Sequence, residues 1–311
     1  MPNGPQNAGT LLSSGNREDE LTALVVLLKS KIFPLEKLAA EVEHFGPVET
    51  LKHAHEFRPA AENLTDEDVA AARDAVTRWQ LEKRDIRTVS DPTYPTNLAS
   101  IFNKPPMVFI KGTWHDEIDS LSVAVVGTRK PSQSGVKRAQ LAARKLVKAG
   151  ITVISGLAAG IDAVAHAAAL DAGGRTVAVM GTGIDRIYPD ENRKIAARIL
   201  ASGGALLSQF FPDQPPMQWT FPMRNVVMSG LSLATLVVEA GETSGARAQA
   251  RRALEHGRTV YLPASLVRSH EWAKKMTETG ISGTRAITVE NVDEIVDRLM
   301  GTYDAPAFAV R

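Results

Sequence analysis

The sequence predicts an α/β protein: a doubly wound, mostly parallel sheet preceded by a small N-terminal helical domain. Three observations carry this. From Ser122 onward, continuous apolar runs such as Val123–Val126 and Thr176–Met180 alternate with helical periodicities. Strands that stay apolar along their length are buried on both faces, as in a parallel sheet. A glycine-rich turn follows three of these runs, which suits the strand-to-helix loops at the carboxyl edge of such a sheet.

Residues 1–17 are rich in Gly, Asn, Pro and Ser and read as a disordered tail. Residues 18–84 read as the helical domain. Leu21, Leu24, Val25 and Leu28 recur at three and four, as do Leu35, Leu38, Ala39 and Val42 after Pro34. Gly46-Pro47 interrupts the pattern. Thr65 reads as an N-cap with Asp66, Glu67 and Asp68 in the first turn, where the helix dipole favours negative charge, and that helix runs to about Leu81. Residues 85–120 form a connector with short strands at Ile86–Val89 and Met107–Ile110. Residues 121–311 form the sheet domain. Its strands are Val123–Val126, Thr152–Ser155, Thr176–Met180, Ala205–Ser208, Leu233–Glu239, Thr259–Pro263 and Ala286–Thr288. Helices are expected at Gly135–Ala149, Asp162–Asp171, Glu191–Ala201, Ala246–His256 and Asn291–Met300.

Of 311 residues, 44% are hydrophobic and 23% charged, which excludes a disordered chain, a collagen and a coiled coil. The longest apolar run, Ala23 to Leu28, is too short to span a bilayer, and the N-terminus lacks the pattern of a secretory signal. Cysteine is absent, so disulfides, thiol catalysis and thiolate metal sites are excluded, and the cytoplasm is the expected location. Net charge is +1, but residues 1–120 carry 13 Lys+Arg against 19 Asp+Glu and residues 121–311 carry 23 against 16. The basic half suits either a polyanionic ligand or an ordinary solvated surface.

Three loops carry the candidate chemistry: Gly127-Thr128-Arg129, with Lys130 following; Ser155-Gly156-Leu157-Ala158-Ala159-Gly160; and Gly181-Thr182-Gly183. Each alone is as well explained by a tight turn. Together on one sheet edge they favour phosphate binding by free amides and helix N-termini. No Walker-type phosphate loop is present, and Gly181-Thr-Gly-Ile-Asp-Arg lacks the third glycine of a dinucleotide fingerprint. His53, His55 and His166 do not share a metal-ligand spacing, and no serine occupies a nucleophile elbow. Neither a metal nor a cofactor is expected.

The order Gly127-Thr-Arg-Lys-Pro-Ser, Ser155-Gly-Leu-Ala-Ala-Gly-Ile-Asp, Tyr188-Pro, Phe221-Pro-Met-Arg-Asn and Glu239-Ala…Ser244-Gly resembles the DNA-processing protein A family, also called DprA or Smf. The resemblance covers about residues 86–265 and, more loosely, the N-terminus. It implies a Rossmann-like domain after a SAM-like helical one, with a basic pocket for single-stranded DNA. It further implies a homodimer that assists loading of a RecA-type recombinase in DNA uptake or recombination, with no catalytic reaction and no membrane partner. By position the pocket residues are Gly127, Thr128, Arg129, Lys130, Ser155, Gly156, Gly160, Gly181, Gly183, Arg224, Asn225, Ser244, Gly245 and Arg247. Arg129 and Arg224 are expected on phosphate, Arg224 from a loop, and Asp162 reads as the N-cap of the following helix.

The chain departs from the family pattern where Ala159 and Val226 stand in place of arginines. Both changes are expected to remove positive charge from the pocket. Ser244-Gly-Ala-Arg-Ala-Gln-Ala replaces Ser-Gly-Ser-Leu-x-Thr-Ala, so Arg247 restores one charge. The competing reading is a nucleotide sensor or an N-glycosidic hydrolase of nucleoside monophosphates, with Glu239 as its carboxylate and Arg224 on the phosphate.

Overall fold

The structure is a computed structural model that describes residues 12–57 and 64–303. Packing divides the chain into two units: Met1–Tyr94 with Phe102–Phe109, and Pro95–Ile101 with Ile110–Arg311.

The smaller unit is a helical cluster. Helix α1 (Arg17–Ser30) packs on α3 (Pro47–Phe57) and α4 (Asp66–Leu81), while α2 (Leu35–Phe45) packs on α3. Leu24, Val25 and Leu27 of α1 are fully buried, as the three-and-four spacing requires. Of the stretch expected to be a tail, residues 1–11 lie outside the described residues. Leu12 is buried, and Asn16 caps α1 by accepting from the amides of Glu18 and Asp19. Thr65 and Asp68 form a reciprocal capping box on α4. Gly46-Pro47 separates two helices rather than ending the helical region, because Pro47 occupies the first position of α3, where its missing N–H costs nothing. Strands β1 (Asp85–Thr88) and β2 (Met107–Gly112) follow, and Trp79 meets Phe109 edge-on with centroids 5.1 Å apart.

The larger unit opens with two short helices, α5 (Thr96–Ala99) and α6 (Asp116–Asp119). Strands and helices then alternate: β3 (Ser122–Gly127), α7 (Gln133–Lys148), β4 (Thr152–Ser155), α8 (Ile161–Asp171), β5 (Thr176–Val179), α9 (Arg193–Ala201) and β6 (Ala205–Ser208). After them come α10 (Thr220–Leu231), β7 (Ala234–Glu239), α11 (Gly245–Glu255), β8 (Thr259–Pro263), α12 (Ala264–Ser269), α13 (Glu271–Glu278), β9 (Ile287–Val289) and α14 (Asp293–Tyr303). These strands lie in the order β6-β5-β4-β3-β7-β8-β9 and pair in parallel, with Val123 opposite Val153 on one side and Ala234 on the other.

The winding therefore reverses at β3. Right-handed crossovers place α7, α8 and α9 on one face and α10 and α11 on the other, and the helices pack accordingly, α7 on α8 and α10 on α11. Val123, Val125, Val153 and Leu236 bury their side chains against Ala139, Leu146, Ile161 and Ala165 of the first face. A reversal of winding opens a crevice at the carboxyl ends of the strands beside it. That crevice is where the sequence placed its glycine turns.

Candidate functional site

The loops after β3, β4 and β7 converge at this edge with the first turns of α10 and α11. Between them lies a cleft of about 610 Å³. Gly127, Thr128, Arg129 and Lys130 form one wall, Arg224 and Asn225 the floor, and Ser244 and Gly245 the opposite wall. Arg129 and Lys130 are exposed, and the Arg129 guanidinium lies over the ring of Phe221.

Arg224 is not in a loop, as the sequence suggested, but on α10. The helix tolerates Pro222 because it falls in the first turn, where amides have no intrahelical acceptor. Phe221, Arg224, Asn225 and Met228 recur at helical spacing and line the cleft together. Val226 falls off that stripe and is half-buried away from the lining. An arginine there is therefore not a missing member of the cleft, contrary to the expectation from the family pattern.

Arg224 is buried at 7% exposure. Its Nη1 donates to the carbonyls of Gly156 and Val179, and its Nε donates to Asn225 Oδ1 at 3.1 Å. Asp162 is buried nearby, and its carboxylate accepts from the amides of Gly156 at 3.1 Å and Ala158 at 3.4 Å. Burial pushes the Asp162 carboxyl up and the Arg224 guanidinium down, each opposed by the charge of the other. Guanidinium remains charged in any such setting, so the pair puts a fixed positive group under the cleft. Asp162 is not the N-cap expected for α8. Gly160 takes that position, and Asp162 reaches back to hold the preceding loop.

Two glycines explain how the loops come this close. A Cβ on Gly156 would lie 1.8 Å from Arg224 Nη1, so only glycine admits the guanidinium. Gly160 has φ +80°, and a Cβ there would lie 2.4 Å from the Thr128 carbonyl oxygen. That contact joins the β3 and β4 loops, where Ile161 N also donates to Thr128 O at 3.2 Å.

The remaining candidates lie off the cleft. Ser155 is buried, with Oγ donating to Val125 O at 2.7 Å. Gly156 and Gly181 line a smaller cavity of about 100 Å³ beyond Phe221, together with Tyr188 and Ala159. The Gly183 amide donates to Gln214 O at 2.9 Å. Arg247 faces a different cleft and pairs with Glu242. Glu239, the carboxylate a hydrolase needs, accepts from Ser132 N at 3.0 Å, Ser132 Oγ at 2.6 Å and Arg138 at 3.2 Å. It ties β7 to the start of α7. Sequence reasoning set the aromatic cluster near these motifs aside as core, but it divides: Phe210 is buried, and Trp219, edge-on against it, is 50% exposed.

Comparison with known proteins agrees with this geometry. The model of the family DNA recombination-mediator protein A matches residues 85–300. Protein Smf of Escherichia coli is 44% identical over 168 residues, 54% of this chain and 45% of that protein. DNA processing protein DprA of Bacillus subtilis is 39% identical over 179 residues, 57% of this chain and 60% of that protein. The chain thus spans about half the length of such relatives. The X-ray structure of DprA from Streptococcus pneumoniae superposes with a TM-score of 0.60 at 27% identity, covering 87% of this chain and 90% of that one. DprA from Helicobacter pylori, solved for its single-stranded DNA binding mode, has a TM-score of 0.60 at 24% identity over 70% of this chain and 97% of that one; it shares the fold.

Proposed function

Because the chain belongs to the DNA recombination-mediator protein A family, we propose that its cleft binds the phosphodiester backbone of single-stranded DNA and that the protein acts as a recombination mediator. The observation that carries this reading is the pairing of two exposed cations, Arg129 and Lys130, with a buried guanidinium, Arg224, behind them. Exposed cations exchange their counterions for phosphates, and a fixed charge beneath them needs no reorganisation. The N-terminus of α11, capped by Ser244, adds positive potential on the far wall. Phe221, the half-exposed Trp219 and the half-exposed Tyr188 offer faces for unstacked bases.

The mediator role implies a RecA-type recombinase as protein partner, a homodimer formed through the Rossmann-like domain, and a cytoplasmic location. No described helix is long and apolar enough to cross a membrane. Binding rather than hydrolysis is favoured because the Glu239 carboxylate is spent on Ser132 and Arg138.

Titration of a labelled oligothymidylate at several salt concentrations tests the reading. The expected result is binding that weakens steeply with salt and shows little sequence preference. Absence of binding at low salt overturns it. Light scattering at micromolar concentration checks the dimer, where a monomer removes that part of the reading.

A further inference from the structure

Across the first turn of α11 from the DNA cleft lies a second cleft of about 620 Å³, walled by α11 and α13. Arg247, Arg251 and Lys275 line it, against one carboxylate, Glu242. Glu242 is shared between Arg247 and His270, at 3.4 and 3.2 Å. The side chains of Arg251 and Lys275 are exposed.

Trp272 forms part of the wall. It is 4% exposed, the Arg247 guanidinium lies 5.9 Å from its ring centroid, and its indole Nε1–H is buried with no hydrogen-bond partner. A buried donor without an acceptor is costly, and in a cleft lined by cations the group that satisfies it is an anionic oxygen. The two clefts share Thr243, Ser244 and Ala248, so a chain leaving the first across the α11 N-terminus enters the second directly. Arg247 stands where the family pattern has leucine, and the arginine of that pattern at Ala159 is missing. Relative to the pattern, charge has moved from the first cleft towards the second.

We infer that the α11–α13 cleft is a second phosphate subsite for the same DNA strand, with Arg251 and Lys275 on successive phosphates and Trp272 Nε1–H donating to a phosphate oxygen. The inference rests on the proposed DNA-binding function, which places the first part of the strand beside Arg129.

The test compares oligothymidylates of about five and about twenty nucleotides, lengths below and above the span of a typical single-strand site. The double variant Arg251→Ala, Lys275→Ala is expected to weaken the long oligonucleotide about tenfold at low salt, to lower its salt slope by about 1.4, and to leave the short one unchanged. Trp272→Phe keeps the packing of the ring and removes the donor, and a several-fold loss confined to the long oligonucleotide is expected. Arg129→Ala is expected to weaken both lengths. If Arg129→Ala weakens both while the α11–α13 variants change neither, or reduce both equally, the second subsite is wrong and the proposed function stands. If the unaltered protein binds neither length, the function and the subsite fail together.

Discussion

The guanidinium of Arg129 lies face-on to Phe221, 5.5 Å from the ring centroid. Phe221 separates the DNA cleft from the smaller cavity beside it, and Arg129 lines both. Among the described residues no carboxylate pairs with Arg129, so the ring positions the charge without neutralising it.

Arg129→Ala is therefore expected to reduce binding of single-stranded DNA and to lower the salt slope by about 0.7, the value for one lost phosphate contact. The side chain is exposed, so stability should stay within about 0.5 kcal/mol of the parent. Oligonucleotide titration alongside a thermal melt checks both. Binding at parental strength removes Arg129 from the site.

Arg224→Ala should behave differently, although the sequence set the two arginines side by side. Truncation leaves the Gly156 and Val179 carbonyls without their donor and the Asp162 carboxylate without its counter-charge. Breaking a buried pair from one side costs about 3–5 kcal/mol. At this size that lowers the melting temperature by roughly 10 °C. A melt unchanged from the parent contradicts the buried network.

The glycines divide in the same way. Gly160→Ala puts a methyl group 2.4 Å from the Thr128 carbonyl at a positive φ and is expected to cost about 2 kcal/mol or more. Gly245→Ala meets no atom within 4 Å at the first position of α11, and its stability should change by less than about 0.5 kcal/mol. Urea unfolding of the two variants side by side distinguishes them, and equal losses would mean the β3–β4 loop contact is not as described.

Acid should destabilise the fold through two histidines. Burial, with the nearby Arg224 charge, holds His166 down to about 3, and burial with Arg258 and Arg252 holds His256 down to about 4. His166 Nδ1 must donate to Thr176 Oγ1, because the Thr176 hydroxyl hydrogen is already given to Val153 O. With folded values below the ordinary 6.5, the unfolded chain takes up protons first. Stability is then complete above about pH 6.5 and is lost progressively as the pH falls towards 3. At pH 5 the His166 contribution is a loss of about 2 kcal/mol, and that of the partly exposed His256 is smaller. Urea midpoints at pH 7.5 and 5 measure it, and His166→Gln should flatten the difference.

Much of this was legible in the chain. Val123–Val126, Val153–Ile154 and Val177–Val179 announce buried parallel strands because nothing else in a small protein is apolar on every side. The glycine turns announced the edge. Helix α10 was hidden because Pro222 reads as a breaker in sequence and acts as a first-turn residue in space. The burial of Arg224 was hidden for another reason. Its acceptors, Gly156 and Val179, come from strands far away in the chain, and no local pattern reports them. Glu239 looked reactive because its partners Ser132 and Arg138 are equally distant in sequence.

The loop after β4 is gripped from both sides of the sheet, by Asp162 of α8 on its amides and by Arg224 of α10 on a carbonyl. Such a loop has no slack to take up when a ligand arrives. Encounter should then proceed in a single kinetic phase whose rate rises linearly with oligonucleotide concentration, with no plateau from a slow rearrangement of the protein. Differences between strands should appear in how long they stay rather than in how fast they arrive, which makes residence time the quantity by which this edge tells one strand from another.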